Sequence, residues 1–262
     1  MTGIVEGKGA PPLAPAEVEP WNPASEPAPG CPHSRGEGTC ATCKVRGISI
    51  CAALELSELS ALEALAEDVH FAEKETIALQ GDAADAVYTV TGGTIRLYKL
   101  LPDGRRQVVG FLLPGDFMGL ALSDRYAFCA DAVEPVAACR FGRGAFTGLT
   151  ERKPHLLRRL HEAATHELSL AQDHMVLLGR RTAEEKVAAF LVGLRDRRRR
   201  LGGGAVTVPL PMTRSDIADY LGLTIETVSR TISKLARAKA ILVVPGGVRL
   251  LDPARVEALA AA

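Results

Sequence analysis

The segment MTRSDIADYLGLTIETVSRTISKLARAKAI, residues 212–241, carries the most specific local pattern of the chain. Thr213, followed three residues later by Asp216, is typical of a capping box that opens a helix. Gly222 supplies a turn, and Thr224 is placed to cap a second helix with an apolar inner face. Two short helices joined in this way predict a helix-turn-helix.

The exposed face of the second helix carries side chains suited to reading DNA. In a helix-turn-helix, residues near the start of the second helix meet base edges in the major groove. Arginine donates two hydrogen bonds to guanine, a carboxylate accepts from cytosine, and a serine hydroxyl serves in either sense. A simple ion pair between Glu226 and Arg230, four residues apart, is the alternative interpretation. The predicted DNA-binding residues are Thr213, Thr224, Glu226, Ser229, Arg230 and Lys234.

The C-terminal third is the basic part of the chain. The whole sequence carries 31 Lys and Arg against 31 Asp and Glu, but residues 180–262 carry 15 against 8. A basic module on an acidic remainder indicates a polyanion partner, and we expect double-stranded DNA. The strand-like residues 240–252 predict a two-stranded wing on this module. The run RDRRRR, residues 195–200, is interpreted as a solvated helix end.

The segment over residues 75–119 is rich in β-branched and aromatic residues and is broken by turns about every 10 to 12 residues. This spacing predicts an antiparallel barrel or sandwich. The turn-forming residues are Gly81-Asp82, Gly92-Gly93, Pro102-Asp103-Gly104 and Pro114-Gly115-Asp116.

A long helix is predicted over residues 153–180. Its apolar residues recur at alternating steps of four and three, which is the spacing of a coiled-coil seam. The pattern favours a parallel two-helix dimer, and packing of the helix on its own barrel is the alternative that the period leaves open. The predicted interface residues are Leu157, Ala164, Leu168, Ala171, Met175 and Leu178.

Three of the six cysteines lie within CATCKVRGISIC, residues 40–51, with the spacing C-x2-C-x7-C. Residues 1–39, rich in Pro, Gly, Ala and Glu, show no secretory pattern and are predicted to be a disordered tail. No apolar run approaches the length of a membrane span, so we expect a cytoplasmic protein without a membrane partner. In that reducing compartment, clustered cysteines bind metal or respond to redox change. Spacing alone leaves zinc, an iron–sulfur cluster and a thiol redox sensor open.

Three motifs carry a resemblance to a known family: PGDFMG at residues 114–119, RRTAEEKVAAFL at residues 180–191, and MTRSDIADYLGLTIETVSR at residues 212–230. From Cys40 onward the chain resembles the CRP/FNR superfamily of bacterial transcription regulators. It is most similar to the oxygen-responsive FNR branch in its alphaproteobacterial FnrN, FnrL and AadR group. The resemblance implies an α+β fold with an N-terminal antiparallel β-barrel of the cyclic-nucleotide-binding jelly-roll type, a long dimerisation helix and a C-terminal winged helix-turn-helix.

The resemblance also implies a mode of action. FNR-type regulators hold a 4Fe-4S cluster, and the positions that match its ligands are Cys40, Cys43, Cys51 and Cys139. Under low oxygen such a homodimer binds a two-fold TTGAT-N4-ATCAA type of site and contacts RNA polymerase to control anaerobic genes. Cys129 does not match a ligand and is expected to be a small buried residue. Ala171 stands where studied relatives carry an acidic residue on the dimer helix, which leaves the strength of a monomer–dimer switch open.

The expected division of the chain is a tail over residues 1–39, a cluster loop and sensory barrel over 40–152, a dimerisation helix over 153–180 and a DNA-binding domain over 181–262. A FixK-like regulator without a cluster and a cyclic-nucleotide regulator are the alternatives. The resemblance pattern for a cyclic phosphate requires an Arg-Ser pair, but Arg125 is followed by a tyrosine. We find no nucleophile elbow, phosphate-binding loop or zinc-protease motif, so we expect no enzyme.

Overall fold

The computed structural model describes residues 40–119, 123–202 and 206–261, and the predicted tail over residues 1–39 lies outside the described residues. Short 3₁₀ turns come first, at Cys40–Thr42, Arg46–Ile48, Ile50–Ala53 and Leu56–Glu58, followed by α1 (Leu59–Glu63). The strands of the N-terminal half are β1 (Ala66–Phe71), β2 (Thr76–Ala78), β3 (Ala86–Gly92), β4 (Ile95–Leu100), β5 (Arg106–Leu112), β6 (Phe117–Met118), β7 (Cys129–Ala132) and β8 (Val136–Gly142). The remaining elements are α2 (Arg143–Arg152), α3 (Pro154–Arg180), α4 (Ala183–Arg200), β9 (Thr207–Pro209), α5 (Arg214–Leu221), α6 (Ile225–Arg237), β10 (Ile241–Val244), β11 (Gly247–Leu250) and α7 (Pro253–Ala261).

The N-terminal strands form two antiparallel sheets, ordered β1-β8-β3-β6 and β2-β7-β4-β5. Buried residues of both sheets share one apolar core, which is the jelly-roll architecture expected from the turn spacing. Gly93 shows why the turns need their glycines. Its φ is +77°, and a Cβ there would overlap the carbonyl oxygen of Pro135.

Helix α3 runs for 27 residues and begins at Pro154, a position where a missing N–H costs nothing. Leu156 and Leu160, on its first turns, are buried against the barrel side of the molecule. Beyond Leu160 the helix buries little apolar surface. In the described ranges, no helix combines the length and the apolar composition that a membrane span requires.

The C-terminal half is the predicted winged helix-turn-helix, with capping chemistry as expected. Thr213 Oγ1 accepts from the Asp216 N–H at 3.1 Å, and Asp216 Oδ2 accepts from the Thr213 N–H at 3.0 Å. Gly222 ends α5 in the left-handed region with a φ of +60°. Thr224 Oγ1 caps α6 by accepting from the Thr227 N–H at 3.2 Å. The wing has three strands, ordered β10-β11-β9, because the short strand β9 joins the two that the sequence predicted.

An ion-pair cluster, which we call the interdomain clamp, fixes α5 to the barrel strands β4 and β5. Asp216 Oδ1 accepts from Arg96 Nη1 at 2.6 Å and from Arg106 Nη2 at 2.7 Å, and the Asp216 side chain is only 2% exposed. Arg106 Nε also donates to Asp219 Oδ2 at 2.8 Å. The clamp lies beside apolar contacts, since Phe111 of β5 belongs to the same core as the DNA-binding domain.

The interpretation of residues 195–200 as a solvated helix end is wrong for Arg195 and Arg197, whereas Arg199 and Arg200 are exposed as expected. Arg195 is 6% exposed and donates to Glu257 at 2.6 Å. Arg197 pairs with Asp116 of the barrel and donates to the Phe111 carbonyl at 2.8 Å. These arginines therefore bind partners within the protein, because α4 ends against the barrel and against α7.

We expect Asp216→Asn to lower the free energy of unfolding by about 2 to 4 kcal/mol, because it leaves two arginines with one partner fewer in a buried site. Burial raises the pKa of the Asp216 carboxyl, but the hydrogen bonds from Thr213 and the charge of Arg96 outweigh it and hold the pKa below its usual value. The carboxylate thus stabilises the fold above the ordinary carboxyl pKa of about 4 and stops doing so as pH falls through its lower folded value. The measurement is chemical denaturation at neutral pH and below pH 4.

The control is Asp103→Asn, which alters an exposed carboxylate that pairs with Arg105 in a turn. It is expected to change stability by less than about 0.5 kcal/mol. Equal losses in the two variants, or a loss for Asp216→Asn that persists unchanged in acid, would contradict the clamp.

Candidate DNA-reading helix and cysteine cavity

Helix α6 presents the face that the sequence assigned to DNA. Glu226, Ser229, Arg230 and Lys234 are exposed. The opposite face packs into the core of the domain through Val228, Thr231, Ile232 and Leu235. The helical period thus separates a buried face from an exposed polar one.

Two of the six predicted DNA-binding residues have a structural task. The hydroxyls of Thr213 and Thr224 cap the two helices, so their side chains are held close to the helix starts. Lys234 Nζ contacts the Glu184 carboxylate on α4. The pKa of the Glu226 carboxyl lies below its usual value. The main cause is a hydrogen bond with its own backbone, followed by one with the Thr224 hydroxyl, and the charge of Arg230 contributes less.

The four cysteines matched by the family resemblance line one small cavity. Cys40, Cys43 and Cys51 come from the N-terminal turns, and Cys139 comes from β8. Cys40 and Cys139 are 7% and 6% exposed, and the other two are half-buried. The remaining lining residues are Val45, Arg46, Ser49, Leu62, Thr89, Thr91 and Phe141. We call this the cysteine cavity.

Cys129 lies elsewhere, as expected. It belongs to β7 in the other sheet, is 1% exposed, and its Sγ accepts from the Gln80 N–H at 3.3 Å. Cys31 lies outside the described residues.

Local hydrogen bonds shape the loop that carries three of the thiols. Ser49 Oγ accepts from the Cys51 N–H at 3.2 Å and donates to the Arg46 carbonyl at 3.2 Å. Arg46 Nη2 donates to the Leu54 carbonyl at 2.9 Å. These bonds close successive tight turns, which bring residues 40–51 back on themselves at the cavity wall.

The loop is also part of an apolar core that reaches the long helix. Ile50 and Leu54 are buried in one cluster with Phe146 of α2 and with Leu156 and Leu160 of α3. Glu58 adds ion pairs to the start of α3, to Lys153 at 2.6 Å and to His155 at 2.9 Å. The hydrogen bond from Lys153 is the main reason that the pKa of Glu58 falls to about 2, so this carboxylate is charged at any ordinary pH. The cysteine loop is therefore packed directly onto α3.

Burial disfavours thiolates in this cavity. Burial, with a smaller effect of the Cys51 charge, raises the pKa of the Cys40 thiol to about 12. Burial also raises the pKa of Cys51, against the effect of the Ser49 hydroxyl. A metal that binds these sulfurs must displace their protons, so its affinity would rise with pH.

Three polar atoms at the cavity have no hydrogen-bond partner within the described ranges: Arg46 Nε, Thr89 Oγ1 and Thr91 Oγ1. Each is buried, and an unsatisfied buried polar group costs about 1 to 3 kcal/mol. The Asp68 carboxylate oxygens are also buried without a partner among the described residues. Asp68 and Thr89 flank Cys139 across the sheet, since β1 and β3 both pair with β8 at that residue.

The cavity is not arranged for a single metal ion. Across residues 40–119, 123–202 and 206–261, no three His, Cys, Asp or Glu side chains are placed so that they could hold one. A tetrahedral zinc site needs four ligands at about 2.0 to 2.3 Å from one centre.

The barrel interior is lined mainly by alanine and other aliphatic side chains and includes two tyrosines. Tyr88 and Tyr126 are buried in its core, Phe71 packs edge-on against Tyr88, and the Tyr126 hydroxyl donates to the Ala86 carbonyl at 2.9 Å. Arg125 donates to a loop carbonyl, that of Gly81, at 2.6 Å. Arg125 is thus held by a backbone carbonyl, whereas a cyclic phosphate would need a cation that faces it.

The predicted seam of α3 is exposed over most of its length. Leu157, Leu168 and Met175 are 50%, 59% and 63% exposed, and Ala164 and Ala171 are exposed as well. Leu178 differs, because it is half-buried and contacts the domain turn at Gly222. Such a stripe of exposed apolar residues on one helix marks an interaction surface.

Two family models match the chain. One, a Crp-like helix-turn-helix domain, matches residues 185–259. The other, a cyclic nucleotide-binding domain, matches residues 68–153. These ranges coincide with the winged helix-turn-helix and with the jelly roll.

Whole-chain relatives agree with the domain matches. The chain is 57% identical to the nitrogen fixation regulation protein FixK of Bradyrhizobium diazoefficiens, over 85% of this chain and 94% of that protein. It is also 57% identical to the transcriptional activatory protein AadR of Rhodopseudomonas palustris, over 84% of this chain and 92% of that protein. The structure of FixK2 from Bradyrhizobium japonicum matches with a TM-score of 0.70 and 38% identity, over 75% of this chain and 98% of that one.

Proposed function

Because the chain belongs to the CRP/FNR family of transcription regulators, we propose that it senses oxygen through a 4Fe-4S cluster and binds a two-fold operator as a homodimer. Members of this family are DNA-binding regulators and not enzymes. The observation that carries the finer assignment is the convergence of Cys40, Cys43, Cys51 and Cys139 on one cavity.

The donor set of the cavity fits a cubane cluster. Four cysteines are the usual ligands of such a cluster, and three from one short loop leave a single position for a distant one. Cys139 supplies that position from a β-strand of the rigid barrel. When bound, the cluster would supply oxygen sensitivity, because oxygen attacks iron–sulfur clusters and removes them.

The chain's own packing supplies the route from the cavity to the dimer helix. Ile50 and Leu54 share a core with Leu156 and Leu160, and Glu58 is paired with the start of α3. A loop tied to Cys139 through the cluster would hold these contacts in place, and a loop released from it would loosen them. The readout is then the position of α3 in each subunit.

A second copy of the chain is the proposed occupant of the exposed α3 seam. Regulators of this family typically act as dimers. Two parallel helices would bury the seam residues against each other and place two α6 helices about one DNA turn apart, as a two-fold operator requires. We propose a TTGAT-N4-ATCAA type of site read by Glu226, Ser229 and Arg230, with RNA polymerase as the downstream partner.

A regulator without a cluster is the second candidate. It is favoured by the 57% identity to a protein named FixK and by the match to the FixK2 structure. Such a regulator would use the same reading helix and the same α3 seam, but its cysteines would bind no cluster. A cyclic-nucleotide regulator has less support, because Arg125 is followed by a tyrosine and donates to the Gly81 carbonyl.

Protein purified without oxygen should be brown and contain about four irons and four acid-labile sulfides per chain. Cys139→Ser should abolish the colour, because it removes the ligand that the barrel supplies. Cys129→Ser is the matched control and should keep the colour, since that thiol lies in the other sheet. The measurements are the anaerobic absorbance spectrum and iron and sulfide analysis. Stoichiometric zinc without visible absorbance, or the reverse response of the two variants, would overturn the assignment.

Leu168→Glu should shift the anaerobic protein from dimer to monomer and lower operator affinity at least tenfold, because it places a charge in the proposed seam. Sedimentation velocity measures the association state. Leu170→Glu is the control, since this residue is also exposed but lies off the seam. A dimer that tolerates Leu168→Glu would place the subunit contact elsewhere.

Arg230→Ala should relax base preference at one position in each half-site, with a loss of about 1 to 3 kcal/mol of discrimination. Binding to a library of single-base operator variants measures this. Arg237→Ala, two turns further along α6, is expected to weaken all sites equally if it weakens any. Uniform weakening by Arg230→Ala as well would indicate a phosphate contact in place of base reading.

A further inference from the structure

The unsatisfied donors at the cysteine cavity share a location and a chemical character. Thr89 Oγ1, Thr91 Oγ1 and Arg46 Nε all belong to residues that line the cavity, and none has a partner among the described residues. Buried polar groups in native proteins are nearly always paired, so a group of three at one place calls for an acceptor there. The nearby Ser49 hydroxyl differs, because it already bonds Cys51 and Arg46.

The two threonines that line the cavity belong to strand β3. Thr89 is the direct cross-strand neighbour of Cys139, so the two side chains share one face of the sheet. Thr91 follows two residues later, at a register shift between Val90 and Gly92. A bulge of this kind re-aims a side chain, and here it belongs to a residue that lines the cavity.

The third donor is an arginine of the cysteine loop, residues 40–51. Arg46 is the one basic residue among those that line the cavity in the described part of the chain. Its Nη2 is fixed by the bond to the Leu54 carbonyl, which leaves Nε buried at the cavity side. Asp68 is a different case, because it does not belong to the residues that line the cavity.

We propose that Thr89, Thr91 and Arg46 are positioning residues whose hydroxyl and guanidinium groups donate hydrogen bonds to the sulfur atoms of a cluster in the cysteine cavity. The proposal rests on the proposed function. Sulfides and thiolates are acceptors, and hydrogen bonds to them help to set the reduction potential of a cluster. Donors favour the more reduced form, so they also slow oxidative loss. The three residues thereby set how readily this protein responds to oxygen.

The test uses the full chain loaded without oxygen, with Thr89→Val and Thr91→Val as the variants. Resonance Raman spectra in H2O and D2O report hydrogen bonds to sulfur through isotope shifts of the iron–sulfur stretching bands. We expect these shifts to shrink in both variants, and the visible absorbance to bleach in air several-fold faster than in the wild type. Thr89→Ser keeps the donor and should restore the wild-type behaviour.

Thr94→Val is the matched control, because this buried threonine already donates to Glu134 at 2.6 Å and does not line the cavity. It should leave the Raman shifts and the bleaching rate unchanged. In cluster-free protein we expect the control variant, and not the Thr89 variant, to be the one that differs from the wild type. Thr94→Val should lower the melting temperature, whereas Thr89→Val should not, because the Thr89 hydroxyl has no partner to lose.

The outcomes separate this inference from the function on which it rests. A colourless wild type rejects the cluster itself. A brown wild type whose iron–sulfur bands are insensitive to D2O overturns the donor shell without any variant being needed. Variants that keep the wild-type shifts and bleaching rate overturn it too, and would mean that the hydroxyls bind water.

Discussion

The burial of Ile50 and Leu54 against Leu156 and Leu160 joins the cysteine loop to the long helix, and the proposed signalling route depends on this contact. Four apolar side chains of this size, removed from water together, contribute several kcal/mol. Ion pairs from Glu58 fix the same junction. The loop is therefore an integral part of this core, because a change in its conformation would alter the packing of the first turns of α3.

Much of the DNA-reading domain is readable from sequence because its signals are local. The capping box at Thr213 and Asp216, the glycine at Gly222 and the cap at Thr224 each act within four residues, and the structure forms them as predicted. The strand β9 was missed because three residues carry no period of their own. Arg195 and Arg197 were misinterpreted because their partners, Glu257 and Asp116, are distant in sequence.

The residues of the cysteine cavity could be predicted only in part from local sequence patterns. Spacing draws attention to Cys40, Cys43 and Cys51, but it does not identify a fourth partner. Family resemblance selected Cys139 over Cys129, and the sheet order explains the difference, since β8 and β7 belong to separate sheets. The unpaired threonine hydroxyls on β3 have no sequence signal at all. Threonine is common in strands, and only the cross-strand register places the Thr89 hydroxyl beside Cys139.

The Asp216 carboxylate has two roles, one within its own helix and one between the two domains. One of its oxygens caps α5, which sets the start of the helix-turn-helix, and the other binds Arg96 and Arg106 on the barrel. The cap is a local requirement that any such helix would have, but the clamp ties that helix to one orientation on the sensory domain. In the proposed mechanism, a signal from the cavity would reach a DNA-binding domain that is held at several places, among them the Asp216 clamp on β4 and β5 and the pairing of Arg197 with Asp116. Under the proposed function, a shift of α3 relative to the barrel would strain the clamp and so act on the reading helix.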